Sequence, residues 1–323
     1  MKKLDEQVVV VTGATSGIGL AIVREAVKRG AKVVMTARNE EDLARIASEI
    51  NVGGGFALPV AADVADPHAV DRVRDAALAR FGTIDTWINN AGVSIFGKLR
   101  DVDLVEARRL FDVNLWGVVH GSRAAMSVMR EKGGAIINIG SVLSDRVVPI
   151  QGMVAASKHA VKAYTDALRL EAAMEGSPVV VTLVKPNAVD TPYAEHAREL
   201  GGAKRESDGP LYAPELVAEV VLYCAEHPRR DVTVGGGGKI FRALDQAVGE
   251  NKPPPRSQRK VEMVGDSLFA PPLVEGKIHG RERGLVTRHS VAATFDLHPV
   301  ASTVALAGAG LVAAAAVLLW ARA

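Results

Sequence analysis

The stretch that decides the fold lies near the start of the chain and reads Val8-Val9-Val10-Val11-Thr12-Gly13-Ala14-Thr15-Ser16-Gly17-Ile18-Gly19. The run of valines is typical of a strand buried on both faces, and the glycines after it favour a tight turn that opens a helix at about Gly17. Glycine lets the backbone approach a ligand closely, and the unpaired amides at a helix N-terminus attract an anion. The stretch therefore predicts a turn that holds a pyrophosphate, with a glycine-rich turn without a ligand as the alternative.

Strand and helix patterns alternate along the segments that follow. Strands are predicted at residues 32–37, 56–61 and 84–88, with helices between them, including one at 67–80 that has a proline in its first turn. Such alternation predicts right-handed crossovers and a parallel sheet, with ligands bound at the carboxyl ends of the strands. The polar motifs of this region follow the strands, so they are expected to meet at that edge.

The end of the second strand indicates which dinucleotide the turn would hold. An acidic residue there would bind the ribose hydroxyls of NAD(H), but Ala37 is neutral and Arg38 can pair with a 2′-phosphate. NADP(H) is therefore favoured over NAD(H). An ordinary surface arginine is the alternative, because no second basic residue stands in the glycine turn.

A set of motifs follows the strands in order. They are Thr12-Gly13-x-x-x-Gly17-x-Gly19, Asp63-Val64, Asn89-Asn90-Ala91-Gly92, Asn114, Ser141, Lys158 and Pro186-Asn187-Ala188-Val189-Asp190-Thr191. In this order and spacing they resemble the short-chain dehydrogenase/reductase family, over residues from about 5 to 250. The resemblance implies an α/β fold, a Rossmann-type doubly wound parallel sheet of about seven strands. It also implies a homo-oligomer formed through a long helix pair at about 103–130 and 152–175.

The resemblance implies roles for these residues as well. Ser141 would hydrogen-bond the substrate oxygen, Lys158 would hold the nicotinamide ribose, and Asn114 would support a water-linked proton path. The residues that would bind the cofactor are Gly13, Thr15, Ser16, Gly17, Ile18, Gly19, Arg38, Asp63, Val64, Asn90, Ala91, Gly92, Lys158, Pro186 and Thr191. The reaction implied is an NADP(H)-dependent interconversion of a small-molecule carbonyl and a secondary alcohol.

The active-site helix carries a serious departure from the family's pattern. The family has a tyrosine four residues before the active-site lysine, whereas this chain has Val154. A tyrosine beside a lysine ammonium can protonate the oxygen on which charge develops, and valine has no proton to give. Tyr193 and His196 lie in a segment that closes over the substrate in the family, and they are either substitutes or ordinary lid residues. Two functions stay open: an oxidoreductase impaired at its proton donor, and a catalytically inactive dinucleotide-binding scaffold or regulatory membrane-anchored protein.

The composition excludes other classes of protein. A net charge of +2 and few aromatic residues argue against a nucleic-acid surface. Cys224 is the sole cysteine of the sequence, which excludes an internal disulfide and a cysteine metal cluster, and no metal site is predicted. Cys224 lies in an apolar helical pattern of the sequence, so we predict that it belongs to the core.

The composition changes in the last part of the chain. We predict a cofactor-binding domain at residues 1–250, a flexible Pro-rich linker at 251–298 and a transmembrane tail anchor at 299–321. Residues 300–320 carry no charge and are long enough to cross a bilayer as a helix. Arginines before them would keep the catalytic domain cytoplasmic, so a single-pass membrane-associated protein is expected. Because the segment is rich in alanine, a soluble amphipathic or buried helix is the alternative.

Overall fold

Seven parallel strands form the central sheet of the computed structural model, which describes residues 1–201, 211–235, 266–272, 276–281 and 285–298. These strands are β1 (Val8–Thr12), β2 (Lys32–Ala37), β3 (Phe56–Ala61), β4 (Thr86–Asn89), β5 (Gly134–Ile139), β6 (Val179–Pro186) and β7 (Asp231–Val234). Their order across the sheet is β7-β6-β5-β4-β1-β2-β3. The predicted doubly wound parallel sheet is therefore confirmed.

The described helices flank this sheet. They are α1 (Gly17–Lys28), α2 (Glu40–Val52), α3 (Pro67–Phe81), α4 (Leu104–Phe111), α5 (Gly117–Met129), α6 (Gly152–Met174), α7 (Pro214–Glu226) and α8 (Val291–Leu297). Short 3₁₀ turns are found at Leu4–Glu6, Leu99–Asp101, Val142–Ser144 and Pro192–Ala194. Two-residue strands pair Ile95–Phe96 with Arg198–Glu199, and Leu211–Tyr212 with Val286–Thr287.

Alternate side chains of β1 enter the two halves of the core. Val9 and Val11 pack in the apolar cluster on one face of the sheet, and Val8 and Val10 pack in the cluster on the other face. All four are buried, as the valine run predicts. Cys224 is buried in α7 as expected, and this burial raises the pKa of its thiol to about 12.

The strand order reverses direction at β1, and this reversal positions the candidate site. From β1 the chain proceeds outward through β2 and β3, and it then returns to add β4 on the other side of β1. The crossover helices after β1 and β4 therefore lie on opposite faces and leave a groove above the carboxyl ends of these two strands. The glycine turn follows β1, and Asn90 follows β4.

The helix predicted at about 103–130 is interrupted. A π-helical segment at Asp112–Trp116 separates α4 from α5. Because π-helical turns widen a helix and redirect side chains, they frequently mark functional sites. Asn114, one of the predicted catalytic residues, lies in the middle of this segment.

The described parts of the predicted linker pack against the domain. Ser290 accepts a hydrogen bond from Ala293 N at the start of α8, and Thr233 N of β7 donates to the Asp296 carboxylate at 2.9 Å. The predicted membrane helix at 300–320 lies outside the described residues. Among the helices that the structure describes, none is both long and apolar enough to cross a membrane. The domain boundaries themselves stay predictions.

Candidate active site

The glycine turn is packed so tightly that side chains would not fit. Gly13 has φ +65°, and a Cβ there would lie 2.9 Å from Ala91 Cα. A Cβ on Gly19 would lie 2.0 Å from the carbonyl oxygen of Gly13. The side-chain amide of Asn90 donates to the carbonyl oxygens of Thr12 and Gly13, at 2.8 and 3.1 Å. These contacts join the turns after β1 and β4 into one rigid edge of the groove.

The Thr12 hydroxyl also binds the backbone of the turn after β4. It accepts hydrogen bonds from the backbone N–H groups of Asn90 and Ala91, at 2.9 and 3.0 Å. A threonine at the end of β1 therefore fixes the start of the segment that leads to Gly92. This segment contains three of the predicted cofactor residues.

The N-terminus of α1 already binds an oxygen atom. Gly17 has φ +53°, and its backbone N–H donates to the carbonyl oxygen of Lys277 at 2.9 Å. The neighbouring carbonyl of Thr15 accepts from Gly276 N, also at 2.9 Å. An amide at a helix N-terminus that holds a carbonyl oxygen can equally hold a phosphate oxygen. The donor set of this turn therefore fits the pyrophosphate of a dinucleotide.

The guanidinium of Arg38 also faces this groove and binds oxygen atoms. It donates to the carbonyl oxygens of Ser267 at 2.5 Å and of Phe269 at 3.2 Å, with longer contacts to those of Leu268 and Ala270. A guanidinium that gathers several oxygens can accept a phosphate in the same way. Its position after β2 is the one expected for a group that reads the ribose 2′ position.

The turn after β3 contains Asp63 and Val64. One carboxylate oxygen of Asp63 accepts from Ala65 N at 3.0 Å, and the other forms an ion pair with Arg109 of α4 at 2.6 Å. The carbonyl oxygen of Val64 contacts the His120 ring at 2.9 Å. Arg109 was not singled out in the sequence, where nothing but its position on α4 distinguishes it from other surface arginines.

The remaining predicted cofactor residues line the same edge. Ser16 is the N-cap residue of α1, and Ile18 lies in its first turn. Pro186 ends β6, and Thr191 precedes the turn Pro192–Ala194. A Cβ on Gly17 would lie 3.2 Å from Thr191 Cβ, so the loop after β6 reaches the glycine turn.

Asn114 holds the backbone of Val93 in place. Its side-chain oxygen accepts from Val93 N at 2.8 Å, and its amide donates to Val93 O and to the Ser157 hydroxyl, both at 3.1 Å. The side chain is fully buried. It therefore links the segment after β4 to α6, the helix that carries Lys158.

Ser141 caps the 3₁₀ turn that follows β5. Its hydroxyl oxygen accepts from Leu143 N at 3.1 Å, while its own backbone N–H donates to the Ser144 hydroxyl. A serine hydroxyl that accepts one hydrogen bond still has its own proton to donate. Ser141 can therefore donate to an oxygen in the groove.

Lys158 is buried on α6, and its ammonium donates to the carbonyl oxygen of Ile139 at 2.9 Å. Burial lowers the pKa of this ammonium to about 8. Val154 lies one helical turn earlier on the same side of α6, because residues four apart share a face. It is also buried, and its carbonyl accepts from the Ser157 hydroxyl at 2.7 Å.

Two residues of the predicted lid differ in their surroundings. The Tyr193 hydroxyl donates to Val93 O at 2.9 Å, which brings a phenol to the segment clamped by Asn114. His196 is half-buried, and burial lowers the pKa of its imidazole. Its carbonyl oxygen accepts from Ser267 N at 2.9 Å.

A buried hydroxyl near this segment was also missed in the sequence. Ser94 directly follows Val93, and its hydroxyl has no hydrogen-bond partner among the residues that the structure describes. Serine is so common after strands that sequence alone gives no signal for such a position. The Ser94 hydroxyl lies next to Val93 in the chain, in addition to the Tyr193 hydroxyl that binds Val93 O.

Comparison with known proteins agrees with this geometry. A family model described as short chain dehydrogenase matches residues 7–200. An uncharacterized oxidoreductase of Bacillus subtilis, YxnA, is 44% identical over 247 residues, which cover 76% of this chain and 69% of that protein.

Solved structures show the same likeness. A short-chain dehydrogenase/reductase from Burkholderia phymatum, in complex with NAD, superposes with a TM-score of 0.69 at 28% identity and covers 80% of this chain and 100% of its own. An alcohol dehydrogenase from Thermococcus sibiricus, complexed with 5-hydroxy-NADP, gives a TM-score of 0.62 at 27% identity. The match covers 71% of this chain and 95% of the dehydrogenase chain. The sequence match and the shared fold together establish that this chain belongs to the short-chain dehydrogenase/reductase family.

Proposed function

We propose that the chain is an NADP(H)-dependent oxidoreductase that interconverts a small-molecule carbonyl and a secondary alcohol. The observation that carries the proposal is the arrangement of Asn114, Ser141 and Lys158 around the carboxyl ends of β4 and β5, in a chain of this family. Ligands of doubly wound folds bind at that edge of the sheet. The substrate is expected to lie beside the Ser141 hydroxyl.

The residues of the groove would hold the cofactor through its phosphates. The amide of Gly17 suits the pyrophosphate, and Arg38 suits a 2′-phosphate, which supports NADP(H) over NAD(H). When bound, the nicotinamide supplies or accepts the hydride of the reaction. The protein's part is to position the substrate and to stabilise charge on its oxygen.

Ser141 and Lys158 would stabilise that charge. The Ser141 hydroxyl can donate to the substrate oxygen, and the Lys158 ammonium places a positive charge in a buried position nearby. With its pKa lowered to about 8, the ammonium keeps its proton at neutral pH. Val154 supplies no proton, so turnover is expected to be slow compared with a site that has a general acid.

A second function is favoured by Val154 itself. A dinucleotide-binding scaffold without turnover would retain the groove and would need no proton donor at position 154. The experiment that separates the two functions is titration of the protein with NADPH and NADH, followed by turnover assays with assorted ketones, aldehydes and secondary alcohols. Tighter binding of NADPH than of NADH, together with measurable turnover, supports the enzyme. Binding of the cofactor without turnover supports the scaffold. Absence of binding contradicts both.

We further propose that the catalytic domain is cytoplasmic and that residues 299–321 anchor it to a membrane. Residues 300–320 carry no charged side chain, and a helix of this length matches the hydrocarbon core of a bilayer, which supports the proposal. The full chain is expected to sediment with membranes, and a chain that ends at residue 298 is expected to stay in the supernatant. Equal distribution of the two chains would contradict the anchor.

Homo-oligomerisation is proposed through the helix pair at about 103–130 (α4 and α5) and 152–175 (α6). Leu104 and Val105 at the start of α4, and Leu170 and Met174 near the end of α6, are exposed apolar side chains. Association of two chains along these helices would remove such side chains from water. Light scattering of the purified protein should give a mass of at least two chains, and replacement of Leu170 and Met174 by serine should lower it. A monomeric mass for the unchanged protein would contradict the proposal.

A further inference from the structure

Two stretches near the end of the described chain lie against the groove. We name them together the strap, which consists of residues 266–272 and 276–281. Its first part lies against Arg38 and Arg109, and its second part lies against the glycine turn and the loop after β6. We propose that the strap and the dinucleotide compete for this groove, so that the closed strap holds the protein in an inhibited state. The inference rests on the cofactor binding proposed above.

The strap uses the donors that the phosphates would need. The N–H of Gly17 has one hydrogen, and it donates to the carbonyl oxygen of Lys277 at 2.9 Å. A phosphate oxygen cannot bind that hydrogen while the strap does. Arg38 is engaged in the same way, since the carbonyl oxygens of 267–270 surround its guanidinium. The strap therefore satisfies the two anion-binding groups of the groove with neutral carbonyl dipoles.

The strap also fills the apolar part of the groove. Leu268 is 1% exposed and belongs to the same apolar cluster as Val64, one of the residues predicted to bind the cofactor. Its carbonyl oxygen accepts from Arg109 Nε at 3.0 Å, and Arg109 in turn pairs with Asp63. The place expected for the adenosine end of the dinucleotide is therefore taken by a leucine side chain and its backbone.

Both parts of the strap are also held by charged groups that are not assigned to cofactor binding. Asp266 forms an ion pair with Arg198 at 2.9 Å. His279 contacts the carboxylates of Asp190 and Glu215, both at 2.8 Å. The backbone N–H of Arg281 donates to Glu195. These contacts are not needed to bind a dinucleotide, so they indicate that closure of the strap is a feature of the fold in its own right.

Gly280 shows how closely the strap is seated. A Cβ at this position would lie 2.7 Å from the backbone carbonyl oxygen of Thr191, which is closer than real Cβ contacts allow. The strap therefore needs glycine here in order to lie against the loop after β6. A larger side chain at position 280 should lift the strap without altering a group assigned to cofactor binding.

The test compares two strap variants with a matched control in the full chain. Leu268→Ser removes the buried side chain, and Gly280→Val opposes the close approach to Thr191. Leu285→Ser is the control, because Leu285 is 83% exposed and lies outside the strap. The apparent dissociation constant rises as the open fraction falls, so both variants should bind NADPH at least about tenfold more tightly than the unchanged protein. The control should stay within about twofold.

Hydrogen exchange of the strap provides the second readout. Saturating NADPH is expected to speed amide exchange at 266–272 and 276–281 in the unchanged protein, since the strap must leave. Slower exchange there, or weaker binding by the two variants, would overturn the proposal, because the strap would then cover a bound cofactor. Affinities of the two variants equal to that of the control would also overturn it, because the strap would then leave cofactor binding unaffected. If no protein of the set binds NADPH or NADH, the proposed function itself fails, and this inference fails with it.

Discussion

Val154 is the residue on which the distinction between enzyme and scaffold depends. Replacing it by tyrosine places a phenol one helical turn from Lys158, whose ammonium can assist its ionisation. Val154→Tyr should raise NADPH-dependent carbonyl reduction by at least about 100-fold, the usual contribution of a general acid. Val154→Phe is the control, since it adds the ring without the hydroxyl and should leave the rate low. Equal rates for the two variants would show that the missing phenol does not limit turnover.

Arg38 determines the expected cofactor preference. Arg38→Ala removes the charge-assisted hydrogen bonds that favour a 2′-phosphate, which are worth about 1.5–3 kcal/mol. The ratio of the NADH to the NADPH dissociation constant should therefore fall by about 10- to 100-fold. The ratio is the informative quantity, because Arg38 also binds strap carbonyls and loosening the strap changes both affinities alike. An unchanged ratio would mean that Arg38 does not read the 2′ position.

The π-helical segment Asp112–Trp116 is the element that joins the two halves of the site. Asn114→Leu would leave the backbone N–H of Val93 without its partner inside the core. It would also remove one of the two hydrogen bonds made by Val93 O and one of the two made by the Ser157 hydroxyl. Urea denaturation should show a loss of about 1–3 kcal/mol or more in the free energy of unfolding. Trp116→Leu, at an exposed position of the same segment, should change it by less than about 0.5 kcal/mol. Equal effects would show that Asn114 has no special structural role.

The strap is expected to respond to pH through His279. Burial alone would lower the pKa of this imidazole, but hydrogen bonds and charge from Asp190 and Glu215 raise it above its usual value. A raised pKa in the closed state means that protonation of His279 stabilises the closed strap. This stabilisation is fully present below about pH 6.5 and is lost as the pH rises through the raised pKa.

Protection factors for 276–281, which are normalised for the intrinsic pH dependence of exchange, measure this effect. They should fall as the pH rises above neutrality in the unchanged protein and should depend much less on pH in His279→Gln. The other charged groups nearby are Arg281 and Glu195, which pair with each other at 3.7 Å. A pH-independent strap in the unchanged protein would exclude His279 as its sensor.

At the scale of the whole molecule, the sequence predicted the sheet and the edge at which the site forms. The valine run of β1 and the motifs after β3 and β4 carry that information locally, because strands and turns follow from neighbouring residues. The π-helical segment was missed, since residues 103–130 have continuous helical periodicity and the insertion of one extra residue per turn leaves no compositional mark.

The strap was missed for a different reason. Its sequence has prolines and glycines without a helical or alternating period, which is typical of an extended linker. Its contacts with Arg38 and Gly17 are made by backbone carbonyl groups, and every residue type has one. Long-range backbone contacts of this kind are set by the path of the chain and not by side-chain identity. The sequence therefore identified the groove but not the segment that lies in it.

The central claim is that a dinucleotide binds along the carboxyl edge of β1 and β4. A hydrogen-exchange footprint of the full chain, with and without saturating NADPH, tests it most directly. We expect slower amide exchange at residues 13–19 and 90–92 when NADPH is bound, because these backbone groups form the edge of the groove. Unchanged exchange at both segments under saturating NADPH would contradict the claim.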